Sequence, residues 1–240
     1  MALTTLLQIV TRACDELGVQ RPGSVGVVAS LLPQDRQMLA LLQSAGRDLM
    51  TDHQWSTLIA TASVATVADT GTYSMPSDFD RLVDDAGWDR TNDFPMTGSV
   101  APQRHQFWLS SAVVGPTTRK EYKLFTLPGS STFTIHPTPD AVEDISFLYV
   151  RNSWVYSGSS YVSEFGADTD TTVFQPQLLV KELKWRFRAA KGLDAGDLIF
   201  ECETYKQKLI AADVAPGCID MTGAYGSDEL INVPEGNWPT

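Results

Sequence analysis

The sequence predicts an α+β protein: a four-helix bundle built from N- and C-terminal helices, an inserted antiparallel β module and an extended C-terminal arm. Three observations carry this. Apolar residues recur at helical spacing near both ends of the chain, over 3–53 and again over 176–213. Between them lies a region that opens rich in Thr, Val and Ala with alternation and goes on in short strand-like pieces separated by Gly- and Pro-containing turns. The final stretch, "VAPGCIDMTGAYGSDELINVPEGNWPT", holds no Lys or Arg and follows neither period. A chain of 240 residues can build one large core or two small ones. A helical hairpin at either end buries too little surface to stand alone, so joining the two into one bundle is the economical solution. The resulting boundaries are 1–54 and 174–213 for the bundle, 55–173 for the β module and 214–240 for the arm.

The first helix, Leu3 to Leu17, places Leu3, Leu6, Leu7, Val10, Cys14 and Leu17 on one face. Thr4 or Thr5 caps it and Gly18 stops it. "QRPGSVGVVASLLP" is a loop, and Pro33 opens a second helix reaching His53, with Met38, Leu39, Leu42, Ala45, Leu49 and Met50 as its stripe. "STLIATASVATVADTGTYSMP" then reads as strands around a turn. Further strands are expected over Arg81–Asp89, Lys120–Thr126, Ser131–His136 and Ile145–Asn152. "LPGSS", with Pro128 and Gly129, joins two of them as a hairpin loop, "HPTPD" is another turn, and "APQRHQFWLSS" is a short helix between strands. "YSGSSYVSEFGADTDTTVFQP" is a polar loop with room for one last strand.

A helix from Pro176 puts Leu179, Leu183, Phe187 and Ala190 on its apolar face and ends at Gly192. Trp185 lies off that face among Lys181, Lys184 and Arg188. The next helix begins near Leu193–Asp194, with Asp194 as N-cap, and carries Leu198, Cys202, Tyr205 and Leu209 to about Asp213. The arm lacks periodicity but keeps Ile219, Met221, Tyr225, Leu230, Ile231, Val233 and Trp238. Spaced apolar anchors of this kind suit a segment that orders on a partner.

Composition narrows the function classes. A formal charge of −11 and a pI near 4.6 oppose broad binding to nucleic-acid phosphates. Cys14, Cys202 and Cys218 are too few and too scattered for a disulfide framework or a metal knuckle, and the first two suit small buried apolar groups. "MALTTLLQIVTRACDELG" has neither the basic start of a signal peptide nor the apolar length of a membrane span. His53, His105 and His136 have no partners at metal spacing, and HExxH, GxSxG and GxxxxGK[ST] are absent. His53 instead falls at a helix C-terminus, where the dipole favours a cation. Asp168 and Asp170 form a DxD without the Gly and distal Glu of a calcium loop, which points to turn or cap duty. Asp78, Asp80, Asp84 and Asp85, with Trp88, Trp108 and Trp154 as platforms, define an alternative: a carbohydrate-binding or glycan-degrading tail module.

The basic cluster of the Pro176 helix carries Lys181, Lys184, Arg186, Arg188 and Lys191 against Glu182 alone. Arg12, Arg36 and Arg47 are a thin supply of further basic residues for a DNA site, so pairing with acidic groups of a neighbouring subunit is the stronger reading.

The order "YSMPSDFDRLVDDAGWDR", then "ISFLYVRNSWV", then "ADTDTTVFQPQLLVKELKWRFRAAKGLD" resembles the head–tail adaptor proteins of tailed bacteriophages, a group that includes tail tubular protein A and head-completion proteins. The resemblance runs from Leu3 to about Asp213 and rests on structural residues, with no catalytic signature. It implies a non-enzymatic virion component without cofactors, in a ring of typically twelve copies. The ring sits beneath the portal at the head–tail junction, after assembly in the host cytoplasm, with no membrane involved. The bundle abuts the portal, the arm reaches onto it, and the β module faces outward or toward the next tail component, a nozzle or tail tube. Genomic DNA passes through the channel without specific binding, as an acidic lining permits. On this reading Lys181, Lys184, Trp185 and Arg188 are the candidate subunit interface, and Tyr225, Leu230, Ile231 and Trp238 the candidate portal anchors.

Overall fold

The structure is a computed structural model that describes residues 4–26, 32–83, 86–110, 119–127 and 130–213. Helix α1 (Leu6–Leu17) starts at a capping box: the Thr5 hydroxyl accepts from Gln8 N and the Gln8 side chain accepts from Thr5 N at 3.1 Å. It ends at Gly18, whose φ of 69° is the left-handed geometry of a helix C-cap. Helix α2 (Pro33–Asp52) has Pro33 in its first turn. A short 3₁₀ turn at Ser56–Leu58 leads into the strands.

Eleven strands are described: β1 (Ile59–Ala65), β2 (Thr72–Ser74), β3 (Phe79–Leu82), β4 (Trp88–Asp89), β5 (Phe94–Pro95), β6 (Glu121–Phe125), β7 (Thr132–His136), β8 (Asp144–Arg151), β9 (Val155–Ser157), β10 (Ser160–Val162) and β11 (Thr171–Thr172). Helix α3 (Pro102–Ser110) interrupts them, and α4 (Pro176–Ala190) and α5 (Gly196–Asp213) follow. The pairings between strands are all antiparallel. In the main sheet β8 pairs with β1 along its length, Ile59↔Val150 to Ala65↔Asp144, and with β3 and β4 on its other edge. Strands β2, β7 and β6 form a second sheet, in which β6 and β7 are the expected hairpin. The segment expected as one strand over Arg81–Asp89 is split between β3 and β4. The polar loop after Tyr156 contributes to a third, small sheet in the order β10-β9-β11.

The expected four-helix bundle is not what forms. Helix α4 is a hub against which α1, α2 and α5 each pack. Of α5 only Cys202 is fully buried, while Leu198, Tyr205 and Leu209 are half-buried. The remaining side of the hub is closed by Trp55, Val150, Trp154, Val155, Phe165 and Phe174, so the helical core is shared with strands and loops. Together these four aromatic side chains and two valines cover the side of the hub that a bundle would close with another helix, which leaves α5 peripheral. Trp154, fully buried, stacks on Phe174 (5.8 Å) and meets Phe165 edge-on (4.9 Å). A second core holds Met75, Met96, Tyr122, Phe133, Ile135, Ile145, Phe147 and Tyr149. Strand β8 serves both, with Tyr149 in the second core and Val150 in the first. Residues 128–129 of the hairpin loop, Asp84, Asp85 and the whole arm lie outside the described residues.

Candidate functional site

The basic cluster of α4 faces acid supplied by the same chain. Lys181 pairs with Glu201 of α5 and Lys184 with Glu16 of α1 at 2.6 Å. Arg186 joins Asp48 of α2 (2.8 Å) and Glu182 (3.0 Å). Trp185 is half-buried, its Nε1 donates to Glu182 at 2.8 Å, and the Arg186 guanidinium lies 4.6 Å from the centre of its ring. Among the four residues expected at a subunit interface, Arg188 is the one basic group with no ion pair among the described residues. It lies on the rim of a groove lined also by Glu16, Leu17, Val19, Lys184, Phe187, Leu193 and Leu198. Of the thin basic supply nearby, Arg12 donates to Gln177 and Arg47 pairs with Glu164, so neither adds to an anion-binding face.

Two features escaped the sequence. Glu182, read there as a local offset, is 5% exposed and binds Trp185, Arg186 and the Cys202 thiol (3.4 Å). Phe200 is 76% exposed on α5, with Ile199 and Leu193 also open to solvent. The signal was present in "LIFEC": three consecutive apolar residues on a helix cannot all face the core.

The DxD segment is a joint. Asp168 accepts from the Ser24 hydroxyl (2.5 Å), Val25 N (2.6 Å) and Gly26 N (2.7 Å). Asp170 accepts from Gly166 N and Ala167 N, both at 2.8 Å, and its carbonyl receives Leu6 N from the start of α1. A Cβ on Gly26 would fall 2.4 Å from Asp168 N, so the two backbones approach as closely as only glycine allows. Burial opposes the charge on both carboxylates, yet donation from Ser24, Val25 and Gly26 to Asp168, and from Ser157, Gly166 and Ala167 to Asp170, holds each below the usual carboxylate range. No cluster with metal-binding composition occurs among the described residues.

A family model described as SU10 adaptor protein matches residues 4–197. The chain belongs to this phage adaptor family. A search of the curated proteins finds no match.

In this adaptor the described candidate residues named below are engaged structurally. Asp78 accepts from the Tyr149 hydroxyl at 2.8 Å, and Asp80 pairs with Arg81. Trp108 is 6% exposed and stacked on His136, and Trp154 is fully buried, so neither offers a face to a sugar; Trp88 is half-buried under Arg90. Lys120 sits between Asp89 (2.6 Å) and Glu143 (2.7 Å), all three sealed in the β region. The Glu143 Oε2 contact lacks hydrogen-bond geometry and is coulombic, while Oε1 accepts from Asn92 at 3.0 Å. Burial disfavours both charges, but the hydrogen bond to Asp89 and the nearby Glu143 carboxylate hold Lys120 above its ordinary value, and donation from Asn92 and Lys120 holds Asp89 below its own. His53, at the end of α2, pairs with Asp213 at 3.3 Å, and Asp213 also accepts from Ser56 N (2.9 Å) and the Ser56 hydroxyl (2.5 Å). Cys14 and Cys202 are free and buried, and burial followed by neighbouring carboxylates pushes their thiols up to about 11 and about 12. None of the described helices is long and apolar enough to cross a membrane.

Proposed function

We propose that this chain is a non-enzymatic structural adaptor at the head–tail junction of a tailed phage virion, assembled in the host cytoplasm. It forms a homo-oligomeric ring of twelve copies beneath the portal protein and joins it to the next tail component. The helical body of 1–54 and 174–213 meets the portal, the β module of 55–173 faces the tail, and the arm of 214–240 engages the portal through Tyr225, Leu230, Ile231 and Trp238. Neighbouring copies meet along the face bearing Lys181, Lys184, Trp185 and Arg188. The family match over residues 4–197 carries this reading. A net charge of −11 supports a channel along which DNA slides without sticking.

The test is the mass of the purified protein, alone and mixed with its portal, by native mass spectrometry or sedimentation. The expected result is a ring-sized complex on the portal, lost or weakened when residues 219–240 are removed. A chain that stays monomeric and ignores the portal overturns the reading.

A further inference from the structure

Helix α5 presents two unlike faces, and together they describe a contact between copies. On its inner side Leu198 joins Leu17, Val19, Phe187 and Leu193 as the floor of a groove of about 350 Å³ between the end of α1, α4 and the α4–α5 turn. Leu193 is 58% exposed, so this apolar floor is open. On the rim, Lys184 is occupied by Glu16, but Arg188 has no ion pair among the described residues. Neither does Lys191, whose ammonium lies 5.1 Å from the centre of the Phe187 ring. On the outer side stands Phe200, with Ile199 beside it, and Asp197 and Glu203 lie three residues before and after it on the same face; Asp197 has no ion pair among the described residues, while Glu203 also holds Lys206 at 2.8 Å. Phe200 is two positions from both Leu198 and Cys202, which turns it away from the side they share.

An apolar ridge with acidic flanks thus sits on the same chain as an apolar groove with a basic rim. They face opposite ways and cannot meet within one copy. Resting on the ring reading above, we propose that Phe200 of one copy seats in the groove of the next, with Asp197 and Glu203 facing Arg188 and Lys191. The contact is heterologous, one face against a different face, which is the kind that closes into a ring by rotation. Phe200 has the character of a central anchor, a large aromatic side chain entering a pocket ringed by polar groups. A second copy is favoured over a foreign partner because the chain itself carries the complement in both shape and charge.

The experiment mixes two full-length variants, Phe200→Cys and Val19→Cys, each also Cys218→Ser, under mild oxidation with and without portal. Cys14 and Cys202 are buried and stay silent. The expected result is a disulfide-linked dimer in the mixture and none in either variant alone. In parallel, Phe200→Asp is expected to weaken self-association about 30-fold or more, the scale of a central aromatic anchor, without changing the melting temperature of the isolated chain. Asp197→Lys is expected to weaken it, and Arg188→Asp in the same ring to restore it. Rings that form normally with Phe200→Asp and give no mixed cross-link overturn this contact while leaving the ring standing. Cross-linking of Phe200→Cys with itself also overturns it, because it reports a two-fold interface. If no oligomer forms alone or on the portal, the ring reading fails and this contact with it.

Discussion

Glu182 shows how much one side chain can organise when it is both charged and buried. At 5% exposure it has lost most of its water, and its oxygens are used by Trp185 Nε1, Arg186 Nε and the Cys202 thiol. Removing it leaves the Trp185 and Cys202 donors without an acceptor and Arg186 with Asp48 as its remaining carboxylate. Breaking a buried pair from one side costs about 3–5 kcal/mol, more than the apolar gain from a leucine in its place. Glu182→Leu should therefore shift the urea midpoint well below wild type, and Glu182→Gln, which keeps an acceptor, should shift it less. A Glu182→Leu chain within about 1 kcal/mol of wild type would show that the cluster contributes little. In the sequence Glu182 is one acid among five bases. The spacing to Trp185 and Arg186 is visible there, but which side of α4 turns inward at Glu182 is decided by α5, whose docking no local pattern records.

At the scale of elements, the helices and the longer strands were legible and their assembly was not. Thr5, Gly18 and Pro33 mark helix ends as expected because capping is local chemistry, read from a few consecutive residues. Strand β7 alternates along its length, whereas β8, buried on both faces between the two cores, is a near-continuous apolar run. The small sheet of β9, β10 and β11 was hidden because its strands are too short to show a period, and it exists by pairing Val155–Ser157 with segments on both sides of it. The bundle expectation failed for a related reason: spacing reveals that a helix has an apolar face but not what covers it, and here Trp154 and Phe174 cover part of it. Gly46 makes this point testable. Within α2 a Gly→Ala change gains about 1 kcal/mol of helix propensity. A Cβ at Gly46, however, would sit 2.1 Å from the ring of Trp154, which Phe165 and Phe174 hold in place. Overpacking costs about 1–3 kcal/mol, and an overlap this deep with a ring that cannot retreat belongs at the upper end. Gly46→Ala should be net destabilising by chemical denaturation, and Trp154→Phe in the same chain should recover part of the loss. A stabilised Gly46→Ala protein would mean that Trp154 moves freely.

At the scale of the whole molecule, three aspartates tie together segments far apart in sequence. Asp168 binds residues 24–26, Asp170 orders the loop whose carbonyls receive the start of α1, and Asp213 holds the end of α5 against Ser56 and His53. In each case burial resists the charge but the donated hydrogen bonds prevail, so the folded carboxyl sits below its ordinary value. A carboxylate depressed in the folded state binds fewer protons there than in the unfolded chain. Its stabilisation is therefore complete above the unfolded value, about 4, and is lost as the pH falls through the folded one. Between neutral pH and about pH 5 these joints should hold the melting temperature steady, and below about pH 4 it should fall. Acid also titrates the −11 excess and relieves self-repulsion over the same range, which works in the opposite direction. The raw slope thus mixes two effects, and a triple Asp168→Asn, Asp170→Asn, Asp213→Asn chain separates them. It should melt lower than wild type at pH 7 and lose less on acidification, because its joints no longer carry a titrating charge. Parallel acid profiles for the two proteins would show that the joints hold by their neutral hydrogen bonds and that the charge on these aspartates contributes nothing to the fold.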